Sequence, residues 1–462
     1  MFCLINELLT DVDNFLDRLT QAAASAGHRL YLVGGSVRDS LMGRPTHDLD
    51  LTTDAPVAAI KQMLESAGAD AVYGLGEKFG TMVAITAGVK VEITTFRAQE
   101  EAQGQQDPNA ALHTDLAHRD FTINAIARDL HTGDLHDPHN GKLDITHKLI
   151  RAIGSPEDRF REDPLRLLRA VRFAAELGFF IERDTKEAIR AFAHLLDNVA
   201  RERVGEEMDR LLVTERPGDA IDVLDNVGLL PYIIPELMQM HEMERGPHHY
   251  KEVYPHTLKV VDRTEADLVL RWASLLHDIA KPATYSVTNG EVHFFGHERL
   301  GARMARDILV RLKRPQEVID QVAQLVAEHL RIGVYDESWT DGAVRRFLRE
   351  TAPVTERLFA LSRADITSQR PQRVAAALAR VEALYERCQE IKAQEDVEKL
   401  ASPLNGDELM AMFGGKPGRW IGQVKDYLLG LVLDGELGKD DKEKAERLAR
   451  QYVEIHPELG VV

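Results

Sequence analysis

Leu32-Val33-Gly34-Gly35-Ser36-Val37-Arg38-Asp39 and, after a short loop, Asp48-Leu49-Asp50 decide the reading of the first third of this chain. The run Leu30-Tyr31-Leu32-Val33 has strand character, so the double glycine reads as a strand-to-helix turn. Two adjacent residues without a Cβ let backbone amides approach a phosphate closely. Asp48 and Asp50 are two apart, and in an extended segment such residues point to one side. Paired carboxylates suit magnesium, which takes hard oxygen ligands and keeps positions open for water and substrate phosphates. The combination outlines a site for nucleotide chemistry.

Glu92 falls on the next strand, with Thr94 and Phe96 on its side, while Val91, Ile93 and Thr95 face the other way. A third carboxylate beside Asp48 and Asp50 completes a set able to hold two metals, although a solvent-facing edge residue reads the same way in isolation. Val83-Ala84-Ile85 and Val91-Glu92-Ile93 read as paired strands joined through Gly88. Downstream, Arg119 is placed to meet phosphate or a base edge, and Asp120 and Asn124, four apart, to meet a ribose.

The chain has 462 residues and suggests about three domains. Its net charge of −18 argues against non-specific nucleic-acid binding over the whole surface but leaves room for a local basic groove. Cys3 and Cys388 are far apart with no CxxC pair, which excludes a zinc ribbon and fits a reducing compartment. No apolar run reaches membrane-spanning length and no basic signal region opens the chain, so a cytoplasmic location is expected. Leu4, Leu8, Val12, Phe15 and Leu19 recur with a helical period, predicting an amphipathic helix over 3–26 that caps a sheet or joins subunits. Residues 99–118 are polar and read as a surface loop, and the pattern turns helical after Pro156.

Five strings occur in order: Leu32 to Asp39, Asp48-Leu49-Asp50, Arg119-Asp120-Phe121-Thr122-Ile123-Asn124-Ala125, Asp137-Pro138 with Gly141, and Glu162-Asp163-Pro164-Leu165-Arg166. Together they closely resemble the class II tRNA nucleotidyltransferase and bacterial poly(A) polymerase family over residues 28–230. The resemblance implies an α/β nucleotidyltransferase head, a small mixed sheet with helices, followed by a long all-α neck, an HD-like body and a tail. It implies catalytic Mg2+ on Asp48 and Asp50, with Glu92 as third carboxylate. Gly34, Gly35 and Arg38 would meet the triphosphate, and Asp120 and Asn124 the sugar. Asp163 and Arg166, with Arg119, would read the incoming cytosine or adenine in place of a template, one supplying acceptors and the other a planar donor fork.

Arg169 would reach the triphosphate, and Arg172 completes the nucleotide-binding set. On one continuous helix, however, steps of three drift by roughly 60°, so Asp163 and Arg172 face opposite ways and Arg172 equally suits tRNA or an acidic neighbour. Arg201, Arg203, Glu206 and Glu207 resemble the family's last neck motif and read as props for the selecting helix.

In the body, Tyr254-Pro255-His256-Thr257, Leu275-Leu276-His277-Asp278 and Arg363-Ala364-Asp365 resemble an HD-domain phosphohydrolase of the H…HD…D type. Apolar residues precede His277-Asp278 and Pro282 ends the helix, which places the pair in the C-terminal part of a buried helix. His256, His277, Asp278 and Asp365 would then hold a divalent transition metal, a donor set that suits one. His297 and His329 extend this site or bind phosphate, and His248 and His249 lie at its rim or in solvent. Some members of the resembled family carry such a domain with phosphatase or cyclic-phosphodiesterase activity on RNA ends.

The domains expected are an N-terminal helix at 1–27, a catalytic head at 28–150, a neck at 151–230, an HD-like body at 231–370 and a tail at 371–462. In the tail, the glycines between Gly406 and Gly422, with Lys416 and Arg419, suggest either plain turns or a tRNA contact. The function implied is template-independent addition of the 3′-terminal CCA of tRNA from CTP and ATP. The alternatives are a poly(A) polymerase, or an HD-type phosphohydrolase whose head only binds RNA.

Overall fold

A computed structural model describes residues 2–45, 48–74, 80–96, 108–245, 253–367, 370–394 and 396–461. The chain divides into two compact units, Met1–Leu211 with Ala220–Ile233, and Leu212–Asp219 with Ile234–Val462. Among the described residues, no helix is long and apolar enough to cross a membrane.

The main sheet of the first unit has seven strands: β1 (Leu30–Val33), β2 (Asp48–Thr53), β3 (Ala71–Gly74), β4 (Thr81–Thr86), β5 (Val89–Thr95), β6 (Ala127–Asp129) and β7 (Leu135–His136). They form one sheet in the order β3-β4-β5-β2-β1-β6-β7. Within this sheet only the central β2–β5 pair is parallel. The turn between β4 and β5 is Ala87-Gly88, with φ of 47° and 76°. Both values lie in the left-handed region, the signature of a two-residue hairpin turn whose twist matches its strands.

Alternation along β2 and β5 separates two chemistries onto two faces. Leu49, Leu51, Val91 and Ile93 point into a core with Ile60 and Leu64 of the helix Val57–Ser66. Asp48, Asp50, Glu92 and Thr94 take the intervening positions and so share the other face. The N-terminal helix Phe2–Ser25 places Val12, Phe15, Leu19 and Ala23 in that same core, so it caps the apolar face of the sheet.

Three details differ from the sequence reading. Within the stretch expected as a loop over 99–118, Pro108–Ala117 is a helix that buries Leu112 and Leu116 beneath Tyr31 and Phe96; residues 99–107 lie outside the described residues. Asp163 does not share a helix with Arg166. The helix Pro156–Glu162 ends at Asp163, whose backbone is extended at φ −144°, and Pro164 starts a new helix, Leu165–Leu177. Proline disfavours the helical region for the residue before it, which breaks the periodicity that the helical-wheel argument used.

The third difference lies at the body's histidine–aspartate pair. The buried helix Leu268–Leu276 stops just before His277, well ahead of Pro282, so His277 caps it and Asp278 follows.

The second unit is helical apart from a short hairpin, Ser286–Thr288 with Glu291–His293, closed by Asn289-Gly290 at φ 55° and 81°. Gly301, on the helix His297–Arg311, has space for a Cβ only 3.2 Å from Val326 Cγ1. That tight approach seats the helix against Gln316–Glu328 and brings His297 and His329 together. In the tail, the helix Gly406–Phe413 starts with a capping box formed by Asn405 and Glu408. Gly415 and Gly418 pack on the Trp420 ring at 3.1 and 3.0 Å from where a Cβ would stand, so these glycines build turns around a tryptophan.

Phe15 is fully buried, and Phe15→Ala is expected to destabilise the first unit by about 3–5 kcal/mol in urea denaturation. A loss below about 1 kcal/mol would mean that the N-terminal helix does not cap the sheet.

Candidate active site

In the β2–β5 register, Asp50 stands opposite Glu92 and Asp48 opposite Lys90. Burial, helped by the charges of Glu92 and Asp48, raises the pKa of Asp50 above the usual aspartate value, against the opposing pull of Arg119. Three carboxylates crowded on adjacent strands form a donor set of hard oxygens, so the residues present fit a divalent cation of the magnesium type. Glu92 pairs with Lys90.

The glycine turn is held to these carboxylates by a serine that the sequence reading did not single out. Ser36 Oγ donates to the Asp48 carbonyl at 2.9 Å and accepts from the Asp50 amide at 3.2 Å. Gly34 has φ +70°, and a Cβ there would lie 3.0 Å from Arg119 Nη1 and 3.4 Å from Asp50 Oδ2. Glycine is therefore required twice at position 34, for backbone conformation and for room. Arg119 Nε is buried without a partner, a donor suited to an anionic group.

Beyond the carboxylates the neck closes a cavity of about 270 Å³, lined among others by Thr52, Thr94, Arg119, Asp120, Asp163 and Arg166. Arg169 also lines it. Neck arginines fix the segment before Arg119: Arg159 Nη1 donates to the Ala117 carbonyl at 3.0 Å, and Arg166 Nη2 to the His118 carbonyl at 2.8 Å. Asp163 accepts from Arg203 at 2.8 and 3.2 Å. The helix break at Asp163–Pro164 thus lets residues 163, 166 and 169 line one cavity, which a straight helix would have spread around its circumference.

Asp120 accepts from Asn124 Nδ2 at 3.0 Å, from the Phe121 amide at 2.8 Å and from Arg169 at 2.9 and 2.6 Å. Burial opposes its ionisation, but the charge of Arg169 and these hydrogen bonds bring its pKa below the usual value. Asn124 in turn accepts from Arg38 Nη1 at 2.8 Å, and Arg38 also grips Asp39. Arg38 is buried over the Phe173 ring, which Arg169 and Arg172 share. Asp137 caps the helix Gly141–His147 through the Gly141 and Lys142 amides, and Gly141 lies where a Cβ would stand 2.2 Å from the Thr122 carbonyl. This string therefore serves to seat the turn that carries Asn124.

Arg172 is not brought into the cavity. It is buried and pairs with Glu207 at 2.5 Å and with Glu176, the acidic-neighbour option of the sequence reading. Glu207 and Arg203 both touch the selecting residues or their helix, as expected of props.

The second unit gathers the body's residues. His256 Nε2 lies 2.9 Å from Asp365 Oδ1 and 3.6 Å from Asp278 Oδ2, and His277 Nε2 lies 3.2 Å from Asp278 Oδ2 and 3.5 Å from Asp365 Oδ1. Burial opposes a charge on His277, yet the neighbouring carboxylates raise its pKa to about 10. His256, His277 and Asp278 bring ligand atoms within 4.8 Å of one another, and Asp365 Oδ1 meets both histidines, a nitrogen and oxygen set that fits a transition metal. His248 and His249 lie outside the described residues.

The mixed sheet, the carboxylates of β2 and β5 and the glycine turn define a nucleotidyltransferase head. Family models agree: a poly(A) polymerase head domain matches residues 30–151, a probable RNA-binding region of the same polymerases 178–240, and an HD domain 247–370. The chain is 33% identical to the A-adding tRNA nucleotidyltransferase of Deinococcus radiodurans over 90% of this chain and 94% of that protein. It is 31% identical to the CCA-adding enzyme of Geobacillus thermodenitrificans, over 90% and 92% respectively. Among solved structures, the Bacillus stearothermophilus CCA-adding enzyme in complex with CTP superposes with a TM-score of 0.66 at 26% identity, covering 95% of this chain and 97% of that one. The chain belongs to the tRNA nucleotidyltransferase family and is an enzyme of that class.

Gly34→Ala is expected to cost about 1–2 kcal/mol of stability from the left-handed backbone alone, and to lower nucleotidyl transfer at least about tenfold by displacing Arg119. Unchanged transfer would contradict the close approach. Because Asp120 is depressed below its unfolded pKa near 3.9, its contribution is present above that value and lost as pH falls through the folded pKa. Asp120→Asn should be less stable than the parent in thermal melts at pH 7, with the difference shrinking below about pH 4; a constant difference across that range would contradict the ion pair.

Proposed function

We propose that the protein adds CMP and AMP to the 3′ end of tRNA, building or repairing CCA from CTP and ATP. The observation that carries this reading is a cavity bounded by Asp163, Arg166 and Arg119 directly beside the Asp50–Glu92 pair. A poly(A) polymerase would share the head; relatives matching nearly the whole chain are named A-adding tRNA nucleotidyltransferase and CCA-adding enzyme.

Asp48 and Asp50, with Glu92, are the residues that would hold Mg2+, which when bound acidifies the attacking hydroxyl and neutralises departing pyrophosphate. The 3′ oxygen of the RNA bonds to the α-phosphorus, the α–β bridging bond breaks, pyrophosphate leaves, and the hydroxyl proton passes to solvent. Arg119 offers its unpaired Nε to the nucleotide's phosphates. Asp120 and Asn124 bound the sugar end, while Asp163 and Arg166 present acceptor and donor edges to the base. GTP and UTP are rejected because they would leave these groups unpaired. Arg38 and Arg172 act from behind, holding Asn124 and the selecting helix, while Arg169 holds Asp120 from the cavity wall.

A second reading of the head, addition of the terminal A alone, is favoured by one relative, since the Deinococcus protein is named A-adding; a CC-only enzyme is a further variant. Extension of three tRNA transcripts ending before the first C, the second C and the A tests both. Two CMP additions and one AMP, then arrest, are expected. AMP addition only to the last transcript would assign the A-adding variant, and open-ended AMP addition would overturn the reading.

The body, in this proposal, is a phosphohydrolase for phosphorylated RNA ends, carried by the convergence of His256, His277, Asp278 and Asp365. Water's oxygen bonds to phosphorus, the bond to the ribose oxygen breaks, and that oxygen takes a proton, leaving an extendable hydroxyl. The double variant His277→Ala, Asp278→Ala is expected to lose release of a 3′-terminal phosphate while AMP transfer to a hydroxyl end stays within about twofold, since the two sites share no residue. Persisting phosphate release would refute the body assignment.

A further inference from the structure

Beyond the hairpin Ser286–Thr288 with Glu291–His293, two adjacent phenylalanines are used in opposite ways. Phe294 packs inward: its ring lies 6.0 Å from Tyr285 and 6.5 Å from His297, and Lys281 Nζ sits 5.6 Å from its centre. Its carbonyl accepts from His297 Nδ1 at 2.7 Å, and Lys281 in turn donates to Asp278 at 2.6 Å. These contacts tie the segment to the body's histidine–aspartate cluster. Phe295 turns outward and is 76% exposed. One of its faces is covered by the His293 ring, 4.9 Å away and 13° from parallel. The other face is open.

An exposed phenylalanine contributes little burial to the fold, and an aromatic already held in a stack keeps a fixed orientation. Phe295 shares a groove of about 900 Å³ with Leu330 and Val334, which are also exposed. Lys281, Arg299 and Arg331 line the same groove, as does His297. Arg331 is engaged by Glu328 and Glu350. Arg299 projects into solvent, and among the described residues its one ion pair is a 3.9 Å approach to Glu298. Apolar walls, a flat open ring and cations, in a chain of net charge −18, suit a ligand with a flat uncharged part joined to an anion. The adjoining cluster, read above as cleaving phosphate esters, favours a nucleotide over a segment of another protein.

We infer that Phe295, backed by His293, is the stacking platform for the base of the nucleotide whose phosphate the body removes. This deepens the phosphohydrolase reading and rests on it, naming the substrate as a nucleoside 3′-phosphate, free or at the end of an RNA. His297, two residues along the chain, stands 3.5 Å from Asp278 Oδ1 and marks the end of the groove toward which the phosphate is directed. Every base has a π face, so the platform recognises a nucleotide without reading its sequence.

Phosphate release by the full chain, supplied with Mn2+, tests the inference on three substrates. They are a short RNA ending in adenosine 3′-phosphate, the same RNA with hydrogen in place of the terminal base, and adenosine 3′-monophosphate. For the parent, kcat/KM on the base-bearing RNA is expected to exceed that on the base-free one about tenfold or more, through KM. Phe295→Ala should bring this ratio near one, and Phe295→Trp should restore it. A ratio that Phe295→Ala leaves unchanged, or an equal loss on both RNAs, would overturn the platform. The same Phe295 dependence with adenosine 3′-monophosphate would assign free nucleotides as the source, and a dependence confined to RNA would assign the RNA end. If the parent releases phosphate from none of the three, the phosphohydrolase reading fails by itself, and tryptophan fluorescence of the Phe295→Trp protein decides the platform. Quenching by adenosine 3′-monophosphate beyond that of the parent supports it, and equal quenching overturns it. Self-association in sedimentation that Phe295→Ala abolishes would also overturn it, making this face a contact between copies.

Discussion

The parallel pairing of β2 with β5 is the constraint on which the first unit depends. Side chains alternate along both strands, so one register places Leu49, Leu51, Val91 and Ile93 in the core and Asp48, Asp50 and Glu92 on the opposite face. A slip of one residue would bury carboxylates and expose leucines, so the force that folds the sheet also aligns the acidic site. Stability and chemistry are set by the same register. The cost is burial of the Asp50 carboxylate, with the charges of Glu92 and Asp48 beside it, which raises its pKa and which a bound cation relieves.

Around that face the arginines divide by task. Arg119 and Arg166 line the cavity; Arg159 and Arg166 clamp backbone carbonyls of residues 117 and 118; Arg172 is locked between Glu207 and Glu176. A density of arginine that would otherwise suggest an RNA-binding surface is therefore largely internal structure. The planar guanidinium fork suits this use, because it serves several acceptors at fixed angles. Phe173 supplies the common apolar support for three of these groups.

Much of this was legible in the residues. The strand-turn-helix at Gly34-Gly35 and the Asp48–Asp50 pair follow from spacing alone, since period two and backbone freedom are local properties, whereas Glu92 read equally as an edge residue until the resemblance made it the third carboxylate. The convergence of His256, His277, Asp278 and Asp365 was visible only through resemblance, because those residues span more than a hundred positions and no local rule joins them. The break at Asp163–Pro164 was readable from the proline but was masked by the regular spacing of arginines after it. Ser36 left no signal at all: a serine in a turn is ordinary, and its bridge between strand and turn exists only in three dimensions.

The central claim is that the acidic face and the cavity form one site, in which protein side chains choose the base. The most direct measurement is kcat/KM for each of the four nucleoside triphosphates with Asp163→Ala and Arg166→Ala proteins. Removing a base-edge partner should lower incorporation of the accepted nucleotides by about a hundredfold while UTP and GTP change little, because only the accepted bases lose hydrogen bonds. A proportional loss across all four triphosphates would contradict the account and reduce these residues to structural supports.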